Sequence, residues 1–138
     1  MTRGGLGRTP ASFRGSLPPE NVSKLIGMDC LFCRIAAGEI PAQKLYEDED
    51  AIAFQDIQPQ APVHVVLIPR KHIPSLAHLS PGDERLIGHL HAVAKRLAED
   101  QGVDGFRTVM NTGNDGGQTV QHMHLHLLGG RPMHWPPG

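Results

Sequence analysis

Three features of the sequence predict an α+β fold: one long amphipathic helix in mid-chain, short β-type runs on both sides of it, and a stretch near the C-terminus in which histidine alternates with apolar residues. The first element is Asp29-Cys30-Leu31-Phe32-Cys33-Arg34-Ile35-Ala36-Ala37-Gly38, a short helix closed by glycine where a left-handed residue is wanted, and Pro41 stops any continuation. Leu45-Tyr46-Glu47 and Ala51-Ile52-Ala53-Phe54-Gln55-Asp56 read as two strands of a hairpin joined by the acidic turn Asp48-Glu49-Asp50. Pro59 and Pro62 bracket a loop. Val63-His64-Val65-Val66-Leu67-Ile68 is then a nearly continuous apolar run, the pattern of a central strand buried on both faces, and Pro69 ends it. A lone histidine in such a strand, His64, reads as a hydrogen-bonded core residue.

Ser80-Pro81-Gly82-Asp83 supplies an N-cap, a proline for the first helical position and an acid for the first turn. Leu86, Leu90, Val93 and Leu97, with Ile87 and Ala94 beside them, form one apolar stripe to about residue 100, where Gly102 and Gly105 break the pattern. His89, His91, Lys95 and Arg96 fall on the opposite face and read as solvated surface. Phe106-Arg107-Thr108-Val109-Met110-Asn111 is a further strand. Gly113 to Thr119 is a glycine-rich loop, whose backbone N–H groups can converge on an anion or simply turn a hairpin.

That loop feeds directly into the chemistry of the chain, Gln118 to Leu128. His122, His124 and His126 alternate with Met123, Leu125 and Leu127, so a strand here would carry imidazoles on one face, with neighbours about 6.6 Å apart along it. One histidine can then attack while the next holds or transfers a proton. Zinc is the rival reading, because His-x-His suits it, but a third ligand on the same straight strand lies too far along to close a tetrahedron.

Composition narrows the partners. No apolar run of the 138 residues approaches the ~20 needed to span a membrane as a helix. Residues 1–27 hold Arg3, Arg8, Arg14 and Lys24 against Glu20, so the remainder carries nine basic and thirteen acidic side chains out of 13 and 14. A mildly acidic body argues against a nucleic-acid surface and leaves a small phosphorylated ligand open. Residues 1–27, rich in Gly, Pro, Ser and Arg without apolar period, read as a disordered tail ahead of a domain over 28–138. Their composition is compatible with an organellar transit peptide, and Met28 is an alternative start. Two cysteines in a single Cys-x-x-Cys are too few for a disulfide framework, so a reducing, cytoplasmic setting is expected.

His122-Met123-His124-Leu125-His126-Leu127-Leu128 resembles the histidine triad motif, His-φ-His-φ-His-φ-φ with φ apolar, of the HIT superfamily. Phe54-Gln55-Asp56-Ile57, Pro59-Gln60-Ala61-Pro62-Val63-His64, Ile68-Pro69-Arg70-Lys71-His72, Asn111, Gly116-Gly117-Gln118-Thr119 and the terminal Trp135-Pro136-Pro137-Gly138 extend the likeness to the Hint branch over residues 29–138. The resemblance implies an antiparallel sheet of about five strands with two helices, paired across a two-fold axis into a dimer with a continuous sheet.

It also implies a purine nucleoside phosphoramidase, cleaving the P–N bond of AMP and GMP amides. By position, His124 is the nucleophile that forms a nucleotidyl-histidine, His126 contacts phosphate and assists the leaving amine, and His64 and His122 orient and polarise the site. Asn111, Thr119 and the Gly117-Gln118-Thr119 backbone would hold phosphate oxygens, Asp56 the ribose hydroxyls, and Phe32, Phe54 and Ile57 the base. Trp135 would reach toward the partner's site. No cofactor is expected for catalysis. Threonine at 119 replaces the usual serine but keeps the hydroxyl. Cys30 and Cys33 resemble half of a structural zinc site that some relatives complete with the equivalents of His72 and His122; two packed thiols are the alternative. Two other functions stay open beside the phosphoramidase: a dinucleotide polyphosphate hydrolase, as in the Fhit branch, and a nucleotide-binding regulatory protein with little catalysis.

Overall fold

A computed structural model describes residues 30–138; the expected tail over 1–27, and Met28 and Asp29, lie outside the described residues. The chain divides into two compact units, one ending at Pro41 and one running from Ala42 to Gly138. In the first, helix α1 spans Leu31–Ala36, with the Cys30 sulfur accepting from the Cys33 N–H at 3.3 Å. Phe32, Cys33 and Ile35 are buried.

The second unit holds the sheet. Strands β1 (Lys44–Glu47), β2 (Ala51–Gln55), β3 (Val63–Pro69), β4 (Phe106–Val109) and β5 (Leu125–Gly129) form one antiparallel sheet in the order β1-β2-β3-β5-β4. The long helix α2, Glu84–Asp100, lies between β3 and β4 in the chain. Its buried side chains, Leu86, Leu90, Val93, Ala94, Leu97 and Ala98, pack with Ala51, Ala53, Val65, Leu67, Leu125 and Leu127 from the sheet in a single core. Those positions alternate along each strand, so the helix covers one face and His64, Val66, His126 and Leu128 point to the other. The pairs Val66↔His126 and Val109↔His126 set the last triad histidine between β3 and β4. The α+β architecture and the central place of β3 agree with the sequence. Among the described residues no helix is long and apolar enough to cross a membrane.

Both helices end as their glycines suggest. At Gly102, φ is +73°, the Gly102 N–H donates to the Glu99 carbonyl and the Val103 N–H to the Ala98 carbonyl, which satisfies the last turn of α2; Gly38 occupies the same place after α1. The start of α2 departs from expectation. Ser80 is not its cap and Pro81 is not its first residue, because Ser80 to Asp83 close a turn of their own, with the Asp83 N–H donating to the Ser80 carbonyl. Asp83 stands at the N-cap without a side-chain cap bond; its buried carboxylate accepts from Lys71 Nζ at 2.7 Å and from the Ser80 N–H at 3.0 Å.

Part of the polar face of α2 is likewise not bare surface. His89 Nε2 donates to the Asp48 carboxylate at 2.6 Å, and Arg96 lies 5.5 Å from the centre of the Tyr46 ring. Asp48 also accepts from the Tyr46 hydroxyl and from the Asp50 and Ala51 N–H groups, while its carbonyl takes Arg70 Nε. The turn of the β1–β2 hairpin is thereby tied to both the helix and the end of β3. These hydrogen bonds hold the Asp48 carboxyl below its ordinary range despite the opposing effect of burial. Replacing Asp48 by Ala strands several donors at once and should cost about 2–3 kcal/mol, read as a lowered urea midpoint at unchanged slope, whereas exposed Glu49→Ala should change stability by under ~0.5 kcal/mol.

Candidate active site

The triad is not one flat strand face. Leu125–Gly129 is extended and paired, but His122 and His124 precede the strand, and the Met123 N–H donates to the Ile73 carbonyl instead of a ladder partner. His122, Met123, His124 and Leu125 are all buried, so the even alternation of the sequence does not become an inside-outside alternation until Leu125.

Hydrogen bonds fix which nitrogen of each ring carries a proton. His124 Nδ1 is 2.7 Å from the His122 carbonyl, which can only accept; Nδ1 is therefore protonated and the nucleophilic lone pair is on Nε2. Along the second chain, the Gln60 N–H can only donate, so His64 Nδ1 accepts from it at 3.0 Å and the His64 proton sits on Nε2. That nitrogen is 2.9 Å from His126 Nδ1, which must then accept, and the His126 proton is placed on Nε2. The His124 and His126 rings meet edge to face with centroids 5.0 Å apart. One ring thus carries a lone pair and its neighbour a proton.

Burial keeps these rings neutral. It lowers the pKa of His124 and His64, the latter against the opposing pull of Asp56, and it brings His126 down to about 4, helped by the neighbouring His124 and His64. The Asp56 carboxylate lies 3.4 Å from His64 Nε2 and accepts the Gln58 N–H at 2.8 Å. Asp56, His64 and His126 offer ligand atoms within 4.8 Å of one another. Because Gln60 holds the lone pair of His64 Nδ1, the proton on Nε2 argues for a proton path and against a metal there.

His122 has a different environment. It is fully buried, its Nε2 donates to the Pro69 carbonyl at 2.8 Å, and burial takes its pKa down to about 4. Its contribution to orienting His124 is made by its backbone carbonyl. The unprotonated His122 Nδ1 faces His72 Nδ1 at 3.2 Å, close to the separation of two nitrogens bound to one tetrahedral zinc, and the backbone bond on the far nitrogen is the usual support of a ligating ring. In the first unit, burial pushes the Cys33 thiol well above the usual range, with Cys30 adding to it. No disulfide joins Cys30 and Cys33.

The glycine loop is organised by Gln118. Its side-chain oxygen accepts the Gly113 N–H, and its amide donates to the Pro74 and Val120 carbonyls. The Gly117 N–H donates to the Asn114 carbonyl and the Gln118 N–H to the Gly113 carbonyl, so these two donors, expected to hold phosphate, are spent inside the loop. Thr119 is exposed and offers a hydroxyl and an N–H as donors.

A cavity of about 280 Å³ opens on the face of the sheet away from α2, lined by His64 and His126, by Asn111 and Gln60, and by Arg107 and Arg131, with apolar side chains between them. Of the residues expected to hold the base, Phe54 is buried on β2, Phe32 is buried in the first unit, and Ile57 is 94% exposed. Trp135 is 83% exposed, and neither it nor Ile57 lines the cavity. Gln60 and the two arginines were invisible as site residues in the sequence: isolated polar residues in a loop and a strand carry no periodic signal.

Comparison with known proteins agrees with this geometry. Residues 29–134 match the family model described as scavenger mRNA decapping enzyme C-term binding. An uncharacterized HIT-like protein of Synechocystis is 54% identical over 111 residues, covering 80% of this chain and 97% of that protein. The structure of a HIT family hydrolase from Legionella pneumophila superposes with a TM-score of 0.77 at 50% identity, covering 79% of this chain and 99% of that one. A Zn-bound histidine triad family protein from Mycobacterium smegmatis gives 0.68 at 34% identity, covering 75% and 76%. Motif, sheet order and relatives together make this chain a member of the histidine triad family.

Proposed function

We propose that the protein is a hydrolase of purine nucleoside 5′-monophosphoramidates, acting as in the Hint branch that its loop, ribose acid and Trp-Pro-Pro-Gly terminus resemble. The observation that carries this reading is the division of proton and lone pair between His124 and His126. His124 Nε2 attacks the α-phosphorus and forms an N–P bond as the P–N bond to the amine breaks. The departing nitrogen takes the proton from His126 Nε2 as one solvent proton enters the hydrogen-bonded His64–His126 pair, so that both rings end neutral and no imidazolate is left behind. Water then opens the nucleotidyl-histidine, delivering a proton back along the same path. Asn111 and Thr119 hold phosphate oxygens, Asp56 accepts the ribose hydroxyls, and Phe54 contributes to the wall behind the base. The active form is a two-fold homodimer, and the domain begins at residue 28. A dinucleotide polyphosphate hydrolase would release a nucleotide in place of an amine, and a regulatory protein would bind AMP without turnover.

His124→Ala should reduce release of amine from a fluorogenic AMP amide by about a thousandfold, some 4 kcal/mol of transition-state stabilisation, and should abolish the nucleotidyl adduct seen by intact-protein mass after a rapid acid quench. An adduct that survives in His124→Ala would remove this histidine from the nucleophile's role.

The neutral state of His126 gives a pH signature. Its pKa rises from about 4 in the folded protein to the ordinary 6.5 on unfolding, so the unfolded chain binds more protons between those values. The stability that this burial contributes is present above pH 6.5 and is lost as pH falls toward 4. His126→Asn should therefore show a shallower fall of urea midpoint between pH 6.5 and 4.5 than the wild type; identical slopes would mean that the ring titrates normally.

Cys30 and Cys33 with His72 and His122 hold a structural zinc ion. The facing Nδ1 atoms fit it, and a Zn-bound relative in the family supports it. Bound there, zinc supplies folding stability and takes no part in the reaction. Purified protein should contain one zinc per chain, and its removal by chelation, or His72→Ala, should lower the melting temperature by at least about 5 °C. Metal-free protein with an unchanged melting temperature would favour two packed thiols.

A further inference from the structure

The proton order along Gln60, His64 and His126 rests on one donor. Gln60 lies in the loop between β2 and β3, and its N–H, 3.0 Å from His64 Nδ1, places the His64 proton on Nε2, which faces His126 Nδ1 at 2.9 Å. A neutral imidazole can carry its proton on either nitrogen. If the Gln60 N–H moved away, His64 Nδ1 could take the proton and Nε2 would become an acceptor, reversing the direction of the pair. The position of one loop amide therefore decides what two rings do.

The loop's own hydrogen bonds are local. The Gln58 N–H donates to the Asp56 carboxylate at 2.8 Å and Gln60 Nε2 to the Gln58 carbonyl at 3.0 Å, and neither ties Gln60 to another element. Arg131, two residues beyond β5, does so: its Nε and Nη2 donate to the Gln60 carbonyl at 3.1 and 3.0 Å, while Nη1 donates to the Pro132 carbonyl at 3.1 Å. Gln60 is exposed, so water competes for its carbonyl and a single neutral donor would hold it weakly. One planar guanidinium giving two N–H groups to one oxygen restricts that carbonyl in direction as well as distance, and the donor's charge strengthens both bonds. Close packing brings Arg131 within reach. Gly130 has φ +92°, and a Cβ there would stand 2.9 Å from Pro62 Cβ, so the approach of this segment to the loop requires glycine. Arg107, on the same cavity wall, holds a different partner, donating to the His134 carbonyl at 2.8 Å.

We propose that Arg131 is a positioning residue for the proton relay: by gripping the Gln60 carbonyl it keeps the Gln60 N–H on His64 Nδ1, and so keeps the His64 proton directed at His126. It acts through the loop and not on the substrate. Its effect on the His64 tautomer stands on the geometry alone, and its effect on rate rests on the phosphoramidase reading.

The test is ring-nitrogen NMR of the full chain at neutral pH, with the His64 signals identified by their loss in His64→Asn. The wild type should show His64 protonated at Nε2 alone. Arg131→Gln should give a mixture of the two tautomers, Arg131→Lys, which can offer one donor, a smaller share of the second, and Arg107→Gln none. An unchanged tautomer in Arg131→Gln overturns the proposal even if melting temperature or activity falls, because a mere brace of the C-terminal segment would do that. A shift in Arg107→Gln as large as in Arg131→Gln overturns it too, since the effect would then belong to the wall in general. In turnover, Arg131→Gln should lower kcat about tenfold at little changed KM for an AMP amide of an aliphatic amine, whose leaving nitrogen needs a proton. For the 4-nitrophenyl ester of AMP, whose leaving group departs without one, the loss should be under about twofold. Equal losses on both substrates overturn an action through proton delivery. If the wild type turns over no amide, the phosphoramidase reading fails separately, and the tautomer spectra still decide the role of Arg131.

Discussion

Neutral imidazole is the constraint on which the site depends. A neutral ring has one donor and one acceptor nitrogen, and a line of them transmits direction: once the Gln60 N–H occupies one end of His64, the proton positions of His64 and His126 follow. A doubly protonated His126 could not accept from His64, and a doubly protonated His124 would have no lone pair to offer. Burial supplies the neutrality. Low local polarity penalises imidazolium at each position, and packing four rings near one another adds repulsion to any second charge. The same burial that makes the triad a poor acid-stable core keeps an unprotonated ring nitrogen on each histidine at neutral pH.

The sheet exists in the right form to bury these rings because β3 and β5 are neighbours. Val65 and Leu67 on β3, with Leu125 and Leu127 on β5, close the core under α2, which obliges His64 and His126 onto the opposite face within hydrogen-bonding distance. A one-residue slip in either strand would send a histidine into the apolar layer and an aliphatic side chain into the site. Core packing and the geometry of the candidate site are therefore specified by the same register.

Much of this was legible in the sequence, and the misses have physical reasons. The stripe on α2 and the apolar run of β3 were readable because many residues repeat one message. The triad announced its chemistry by residue type, yet its alternation overstated the strand: His122 and His124 are buried together, and the chain there serves Ile73, Pro69 and its own carbonyls, a tertiary matter that period two cannot encode. The pairing of His89 with Asp48, 41 residues apart, left no trace in a helical wheel on which His89 simply sits among polar neighbours. Gln118 was legible as part of a phosphate-type loop, but that its side chain would fasten the loop to Pro74 depended on a segment more than forty residues away.

The charges lie where the neutral centre leaves room for them. Asp56 stands beside His64, close enough to favour a proton on Nε2 without converting the ring to a cation, since desolvation outweighs its pull. Arg107 and Arg131 stand on the wall of the adjoining cavity, bound to carbonyls that fix their position without cancelling their charge. A charged group placed among the histidines would alter every proton assignment in the chain Gln60–His64–His126, whereas Arg131 on the cavity wall meets that chain only at the neutral Gln60 carbonyl.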